Sequence, residues 1–127
     1  MIYLASPYSH TDKAVEHQRY LDVRKIAAFR TRQGEVVYSP IVYGHWLTLE
    51  EGFGSAAADW EMHNMQMLRR CDRLMIATIP GWRESKGVRW EIASAMAMKI
   101  PRIYLTAEGF LDYGILKSDP RGIEATL

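Results

Sequence analysis

The chain has 127 residues, enough for one domain with a hydrophobic core and too few for two. Its 48% hydrophobic and 24% charged residues are typical of a soluble globular protein, and no apolar run is long enough to cross a bilayer. The formal net charge of +1 argues against a nucleic acid polymer as partner and makes a small molecule the default ligand.

A single cysteine, Cys71, excludes an intramolecular disulfide framework and a thiolate metal cage, and it fits a reducing cytoplasm. Met1 and Ile2 open the chain without a basic or apolar leader, so we expect a strand there and no signal peptide. The histidines lack a metal-ligand spacing. We therefore expect no metal site and interpret all four as surface or loop residues: His10, His17, His45 and His63.

The first third of the chain predicts a strand, a helix and a second strand. Residues 1–5 are apolar and are followed by Ser6 and Pro7, where proline ends a strand. A helical pattern runs from Thr11 or Asp12 to Gln33, with Glu16 and Arg19 facing water. Gly34 ends it, and residues 35–39 are the second strand.

The middle of the chain is less regular. Residues 41–56 hold glycines among aromatics, which predicts a loop with one short helix near 46–51. Residues 59–70 predict a helix whose apolar face is interrupted by one polar side chain, Asn64. A buried amide with local hydrogen bonds and an amide that contacts a ligand explain Asn64 equally well.

Two further strands follow, at residues 73–79 and 101–105, with a helix over 86–98 between them that Ser85 caps. Strands that alternate with helices of this length imply right-handed crossovers and a parallel sheet covered on both faces. We therefore predict a single α/β domain over residues 1–127, in which residues 106–127 form a C-terminal extension.

A parallel sheet brings three loops to one edge, at residues 6–10, 40–45 and 80–86. The last loop precedes a helix whose N-terminus, with Ser85 and Gly87, favours an anionic group such as a phosphate. A plain alternative is that Ser85 only caps the helix and Gly81 only turns the chain.

Glu91 lies one and a half turns into that helix, between the apolar residues Val88 and Ile92. We expect its carboxylate to be partly desolvated and held ionised by the helix N-terminus, which suits a nucleophile or a ligand anchor. A solvated glutamate at the edge of the apolar face is the alternative.

Three segments together resemble the nucleoside 2-deoxyribosyltransferase-like family: IYLASPYSH, VVYSPIVYGH and WEMHNMQMLRRCDRLMIATIPGWRESKGVRWEIASAMAMKIPRIYL. They cover roughly the first 105 residues, and a bacterial and phage branch of that family shares the opening and the PGW, S, G, E pattern. The resemblance implies a flavodoxin-like, doubly wound, three-layer α/β/α fold and a homo-oligomer. It also implies transfer of 2-deoxyribose between bases, or hydrolysis of the N-glycosidic bond of deoxynucleotides, without a cofactor or metal.

By position, the resemblance puts the family's nucleophilic glutamate on Glu91 and the nearby tyrosine of the first strand on Tyr3. The residue that binds the 5′ end falls on Ser85, and a serine there fits a nucleoside 5′-monophosphate. Tyr8 and Trp82 are candidates to flank the base. The full set of predicted substrate-binding residues is Ala5, Ser6, Pro7, Tyr8, Ser39, Gly81, Trp82, Ser85 and Gly87.

One departure from the family pattern concerns its second acidic residue, which falls on Asn64 in the predicted catalytic set of Glu91, Tyr3 and Asn64. An amide cannot donate the proton that a departing base needs. Either another group supplies it, with Glu84 and His63 as conceivable sources, or turnover is slow, or the domain only binds. A nucleotide-binding or nucleotide-sensing module, and a glycosidase acting on ribonucleotides or dinucleotides, are therefore the alternative functions.

Overall fold

The computed structural model describes residues 1–53 and 57–118, and within them the chain forms four strands and five helices. The rest of the predicted extension, residues 119–127, lies outside the described residues. In chain order the elements are β1 (Ile2–Ala5), α1 (Lys13–Arg32), β2 (Val37–Tyr38), α2 (Pro40–Glu51), α3 (Ala57–Arg69), β3 (Arg73–Ala77), α4 (Lys86–Ala97), β4 (Arg102–Leu105) and α5 (Tyr113–Ser118).

The four strands form one sheet in the order β2-β1-β3-β4, and every neighbouring pair is parallel. Tyr3 of β1 lies opposite Tyr38 of β2 on one side and Leu74 of β3 on the other. β1 connects through α1 to β2 at one edge of the sheet, and β3 connects through α4 to β4 at the other edge. The strand order therefore reverses between β1 and β3. In open parallel sheets, the carboxyl ends of the strands at such a point form the crevice in which ligands bind.

Helices cover both faces of the sheet. Successive side chains of each strand point to opposite faces and therefore pack against different helices. Ile2 and Leu4 of β1 pack on the α1 side with Val23 and Ile26. Tyr3 and Ala5 pack on the other side, against residues of α3 and α4: Leu68, Val88 and Ala95. The predicted flavodoxin-like, doubly wound, three-layer single-domain fold is confirmed.

The prediction for residues 41–56 is wrong in its main point, because a helix of 12 residues, α2, begins directly after β2. The Ser39 side chain accepts a hydrogen bond from the Val42 amide, and Pro40 occupies the first helical turn, where its missing N–H costs nothing. Gly44 allows close packing, since a Cβ there would lie 2.8 Å from the Trp60 ring of α3. Tertiary packing therefore outweighs the low helix propensity of this segment.

Other boundaries differ less from the sequence predictions. β2 is limited to two residues, since Ser39 caps α2, and β3 ends at Ala77, before Thr78 turns toward the loop. α1 begins after Asp12, whose side chain accepts from the Ala14 amide, and Gly34 follows its end at φ +89°. Within the described ranges, no helix combines the length and the apolarity that crossing a membrane requires.

Candidate active site

A buried carboxyl and phenol pair joins β1 to α4. The inner face of α4 carries Val88, Glu91 and Ala95, all buried against the sheet. Glu91 is only 6% exposed, and the hydroxyl of the fully buried Tyr3 donates a hydrogen bond of 2.5 Å to its Oε2. The alternative of a solvated glutamate is therefore wrong, and burial is more complete than the partial desolvation expected from the sequence.

Burial controls the protonation of this pair. It raises the pKa of Glu91 from 4.5 to about 8, and the hydrogen bond from Tyr3 opposes that rise only in part. The expectation that the helix N-terminus keeps Glu91 ionised is therefore wrong. Glu91 is the sixth residue of α4, beyond the first turn in which the helix dipole acts strongly. The pKa of Tyr3 is raised as well, by its burial and by the neighbouring Glu91 charge.

Asn64 is hydrogen-bonded to Tyr38, which packs on the same face of the sheet as Tyr3. The Tyr3 and Tyr38 rings meet edge to face, with centroids 5.6 Å apart, and the Tyr38 hydroxyl donates to Asn64 Oδ1 at 3.1 Å. Burial raises the pKa of Tyr38, and the charges of Tyr43 and Glu91 add to the rise. The structure thus brings the predicted catalytic set, Tyr3, Asn64 and Glu91, together on the α3 and α4 side. Tyr38 was missed from the sequence, where it is only one aromatic of a short strand.

The turn after β1 lies at the end of the same strand. Ala5, Ser6 and Pro7 are buried. In the part of the chain that the structure describes, the Ser6 hydroxyl oxygen is buried without a hydrogen-bond partner. A buried hydroxyl without a partner costs about 1–3 kcal/mol, which a bound polar group would recover. This turn beside the reversal of strand order is therefore a suitable contact point for a ligand.

Tyr8 ties the loop after β1 to α2. Its hydroxyl lies 2.7 Å from His45 Nδ1, and the His45 ring stacks on Tyr20 with centroids 3.9 Å apart. His45 is 3% exposed, so its interpretation as a surface or loop residue is wrong. Burial, assisted by the charge of His17, lowers the pKa of His45. Nothing in the local sequence distinguishes His45 from an exposed helical histidine, because its partners lie on other elements.

Arg19 connects the loop after β1 to the loop after β3. Its guanidinium donates to the Ser9 carbonyl at 2.9 Å and packs so closely on Gly81 that a Cβ at Gly81 would clash with it. Gly81 has φ +93°, a conformation that glycine adopts without strain. The expectation that Glu16 and Arg19 both face water is wrong, since both are half-buried. The predicted loops at residues 6–10 and 80–86 are therefore joined through Arg19, whereas residues 40–45 are not a loop but the start of α2, which contacts the first loop through His45 and Tyr8.

The remaining predicted binding residues have structural partners of their own. Ser85 Oγ accepts from the Val88 amide and caps α4, which is the purely structural role considered from the sequence. Gly87 lies exposed in the first turn of α4. Trp82 packs on Tyr104, with ring centroids 5.7 Å apart, under the Arg83 guanidinium. Tyr8 and Trp82 thus contact different neighbours, and their role in flanking a base stays a prediction.

A cavity of about 420 Å³ lies on the opposite, α1, side of the sheet, between α1 and the segments that follow β3 and β4. Its lining includes Asp22, Lys25, Ile79 and Glu108, and it includes neither Glu91 nor Ser85. Among the described residues, the His, Cys, Asp and Glu side chains form no group of three that could hold a metal ion. Since Glu91 is buried, a ligand reaches its carboxyl only if neighbouring side chains move.

Fold and site together define a three-layer parallel α/β protein with a buried glutamate and tyrosine pair beside the reversal of strand order. The chain belongs to the family described as a domain of unknown function, DUF1937, which matches residues 1–107. No curated protein matches the chain.

Proposed function

We propose that the protein breaks the N-glycosidic bond of a 2-deoxynucleoside or a deoxynucleoside 5′-monophosphate, either by hydrolysis or by transfer of the 2-deoxyribosyl group to another base. The observation that carries the proposal is the buried Glu91 carboxyl, held by the Tyr3 hydroxyl at 2.5 Å. The resemblance of the flanking sequence to nucleoside 2-deoxyribosyltransferase-like proteins supports it.

In the proposed reaction, ionised Glu91 is the nucleophile. Its oxygen bonds to C1′ as the C1′–N bond breaks, and the bonding electrons leave with the base, which takes up a proton from solvent; the water or second base that attacks in the next step returns one proton to solvent. Water or a second base then attacks C1′ and releases the carboxylate. Tyr3 fixes the carboxylate and keeps one of its oxygens hydrogen-bonded, while the negative charge favours the oxocarbenium-like transition state.

The charge around the start of α4 supports a phosphorylated substrate. Near Ser85 in the sequence, the cations Arg83, Lys86 and Arg89 outnumber the one carboxylate, Glu84, and the Arg89 side chain donates to the Arg83 carbonyl at 2.8 Å. The first turn of α4, which the structure describes completely, carries no acidic residue. Helix dipole and side chains therefore favour an anion at the same point, which suits a 5′-phosphate bound near Ser85 and Gly87.

A second candidate function is a nucleotide-binding or nucleotide-sensing module of the same fold. Two observations favour it. Asn64 is an amide where the resembling family has an acid, and it is already hydrogen-bonded to Tyr38. Glu91 has a pKa of about 8, so only about a tenth of it is ionised at pH 7. Both features lower the expected turnover, and neither prevents binding.

Prolonged incubation with a panel of deoxynucleosides, deoxynucleoside 5′-monophosphates and their ribose counterparts tests the proposal. We expect free base to be released from deoxyribose substrates, more readily when they carry a 5′-phosphate, and release to be abolished in Glu91→Gln. Glu61→Gln is the matched control, since Glu61 is exposed on α3.

Three outcomes count against this reading. Base release that persists in Glu91→Gln removes the proposed nucleophile. A raised melting temperature without base release favours the binding module, and base release from ribonucleotides alone favours the other glycosidase.

A further inference from the structure

A cluster of aromatic side chains adjoins Tyr3 and Glu91, and we name it the aromatic cluster: Tyr38, Tyr43, Trp60 and His63. The Tyr43 and His63 rings are parallel within 6°, with centroids 5.5 Å apart, and the Trp60 ring meets His63 edge to face. Tyr43 is 53% exposed, so the cluster opens to solvent on one side. Flat aromatic surfaces beside a reactive carboxyl suit a flat heterocycle.

Asn64 supplies the polar edge of this cluster, and Tyr38 fixes its orientation. In the structure the Tyr38 hydroxyl donates to Oδ1 at 3.1 Å, and the Nδ2 group faces away from Tyr38. Nδ2 finds no hydrogen-bond partner in residues 1–53 and 57–118. In the same described ranges, the buried Nε2 of the adjacent His63 also lacks a partner. The two N–H donors of Asn64 Nδ2 are therefore available to a ligand.

We propose that the aromatic cluster binds the base of the ligand and that Asn64 selects bases carrying a carbonyl oxygen at the edge it contacts. The inference rests on the proposed function and deepens it by naming the substrate class. A carbonyl oxygen of the base accepts a hydrogen bond from Asn64 Nδ2. An exocyclic amino group of the base would instead place its N–H donors against those of Nδ2, so neither group would be hydrogen-bonded. Asn64 is thus a specificity-determining residue, and Tyr38 is the positioning residue that sets its donor direction.

Two pairs of nucleotides isolate this contact. 2′-Deoxyuridine and 2′-deoxycytidine 5′-monophosphates differ in a carbonyl against an amino group and in the proton on the neighbouring ring nitrogen, and the 2′-deoxyinosine and 2′-deoxyadenosine pair repeats that change on a purine. We expect kcat/KM for base release to favour the carbonyl member of each pair by about tenfold or more. Affinities measured by calorimetry with the Glu91→Gln protein should show the same order without turnover.

Variants at the two positions test the orientation argument. Asn64→Asp replaces donors by acceptors, so the preference should fall or invert toward the amino member of each pair. Tyr38→Phe keeps the ring and leaves the Asn64 amide free to rotate. The ratio of kcat/KM between the carbonyl and amino members of each pair should then approach one, while base release continues. Gln66→Glu makes the same amide-to-acid change on the outer face of α3, where Gln66 pairs with Arg70, and should leave the ratio unchanged.

Equal treatment of the two members of a pair, a preference for the amino members, or an unaltered ratio in Asn64→Asp would overturn the inference. Absence of base release from every nucleotide would instead count against the proposed function. In that case the calorimetric comparison still decides the inference, because it measures base preference by binding alone.

Discussion

The substitution Glu91→Gln should make the protein more stable, and increasingly so as the pH rises. The carboxyl has a pKa of 4.5 in an unfolded chain and about 8 in the folded protein. Between these values the folded state keeps a proton that the unfolded state has released, so raising the pH favours unfolding. The stability that protonated Glu91 contributes is fully present below about pH 4.5 and is lost as the pH rises through about 8.

The expected size follows from the two pKa values. Each pH unit between them costs about 1.4 kcal/mol, and the loss between pH 5 and pH 8 amounts to about 3 kcal/mol. Glutamine is nearly isosteric with the protonated carboxyl and still accepts the hydrogen bond of Tyr3, but it does not titrate. The gap in unfolding free energy between Glu91→Gln and the parent should therefore widen by about 3 kcal/mol over this range.

Urea unfolding of both proteins at pH 5, 6, 7 and 8 measures this gap. Other titrating groups, His45 among them, are common to both proteins and cancel in the difference. The exposed-site control Glu61→Gln should give a gap that is small and independent of pH. A constant gap for Glu91→Gln, or one that narrows with rising pH, would refute the conclusion that burial dominates at Glu91.

Three further predictions concern rates and stability. Base release should rise about tenfold between pH 7 and pH 9 as Glu91 ionises around pH 8, and initial rates that are flat or falling over this range would contradict an ionised nucleophile. Tyr3→Phe removes the hydrogen bond that lowers the Glu91 pKa, so the midpoint of that profile should move above 8, and an unmoved midpoint would show that the bond does not act on the reaction. Gly81→Ala should lose about 0.5–1 kcal/mol more unfolding free energy than Gly34→Ala, because both have a positive φ and only at Gly81 must the new methyl displace the flexible Arg19 guanidinium, which donates to the Ser9 carbonyl; equal losses would show that Arg19 moves aside without cost.

The sequence predicts the fold well because its information there is local. Proline and glycine punctuation and helical spacing locate the alternating strands and helices, which is enough to choose a parallel three-layer sheet. α2 is the exception, since the close approach of Gly44 to Trp60 depends on a helix elsewhere in the chain.

The site is predicted less completely, because its geometry is made of long-range contacts. The position of Glu91 on an apolar helix face indicates burial, but the dominance of burial over the helix dipole appears only once Tyr3 and the sheet enclose the carboxyl. Arg19 and His45 lie in ordinary helical patterns, and their roles come from Gly81 and Tyr8, which belong to distant loops. Tyr38 gains its role in the same way, by standing beside Tyr3 in the sheet.

The central position of β1 also bears on how the molecule assembles. Ile2 pairs with Val37 on one side and with Arg73 on the other, so both neighbours of this strand come from much later in the chain. Closing such long loops costs entropy before any pairing compensates for it, which slows folding relative to a helical bundle of equal size. During synthesis β1 therefore lacks its second neighbour until β3 has emerged, and the Tyr3 contact with Glu91 is among the last to form.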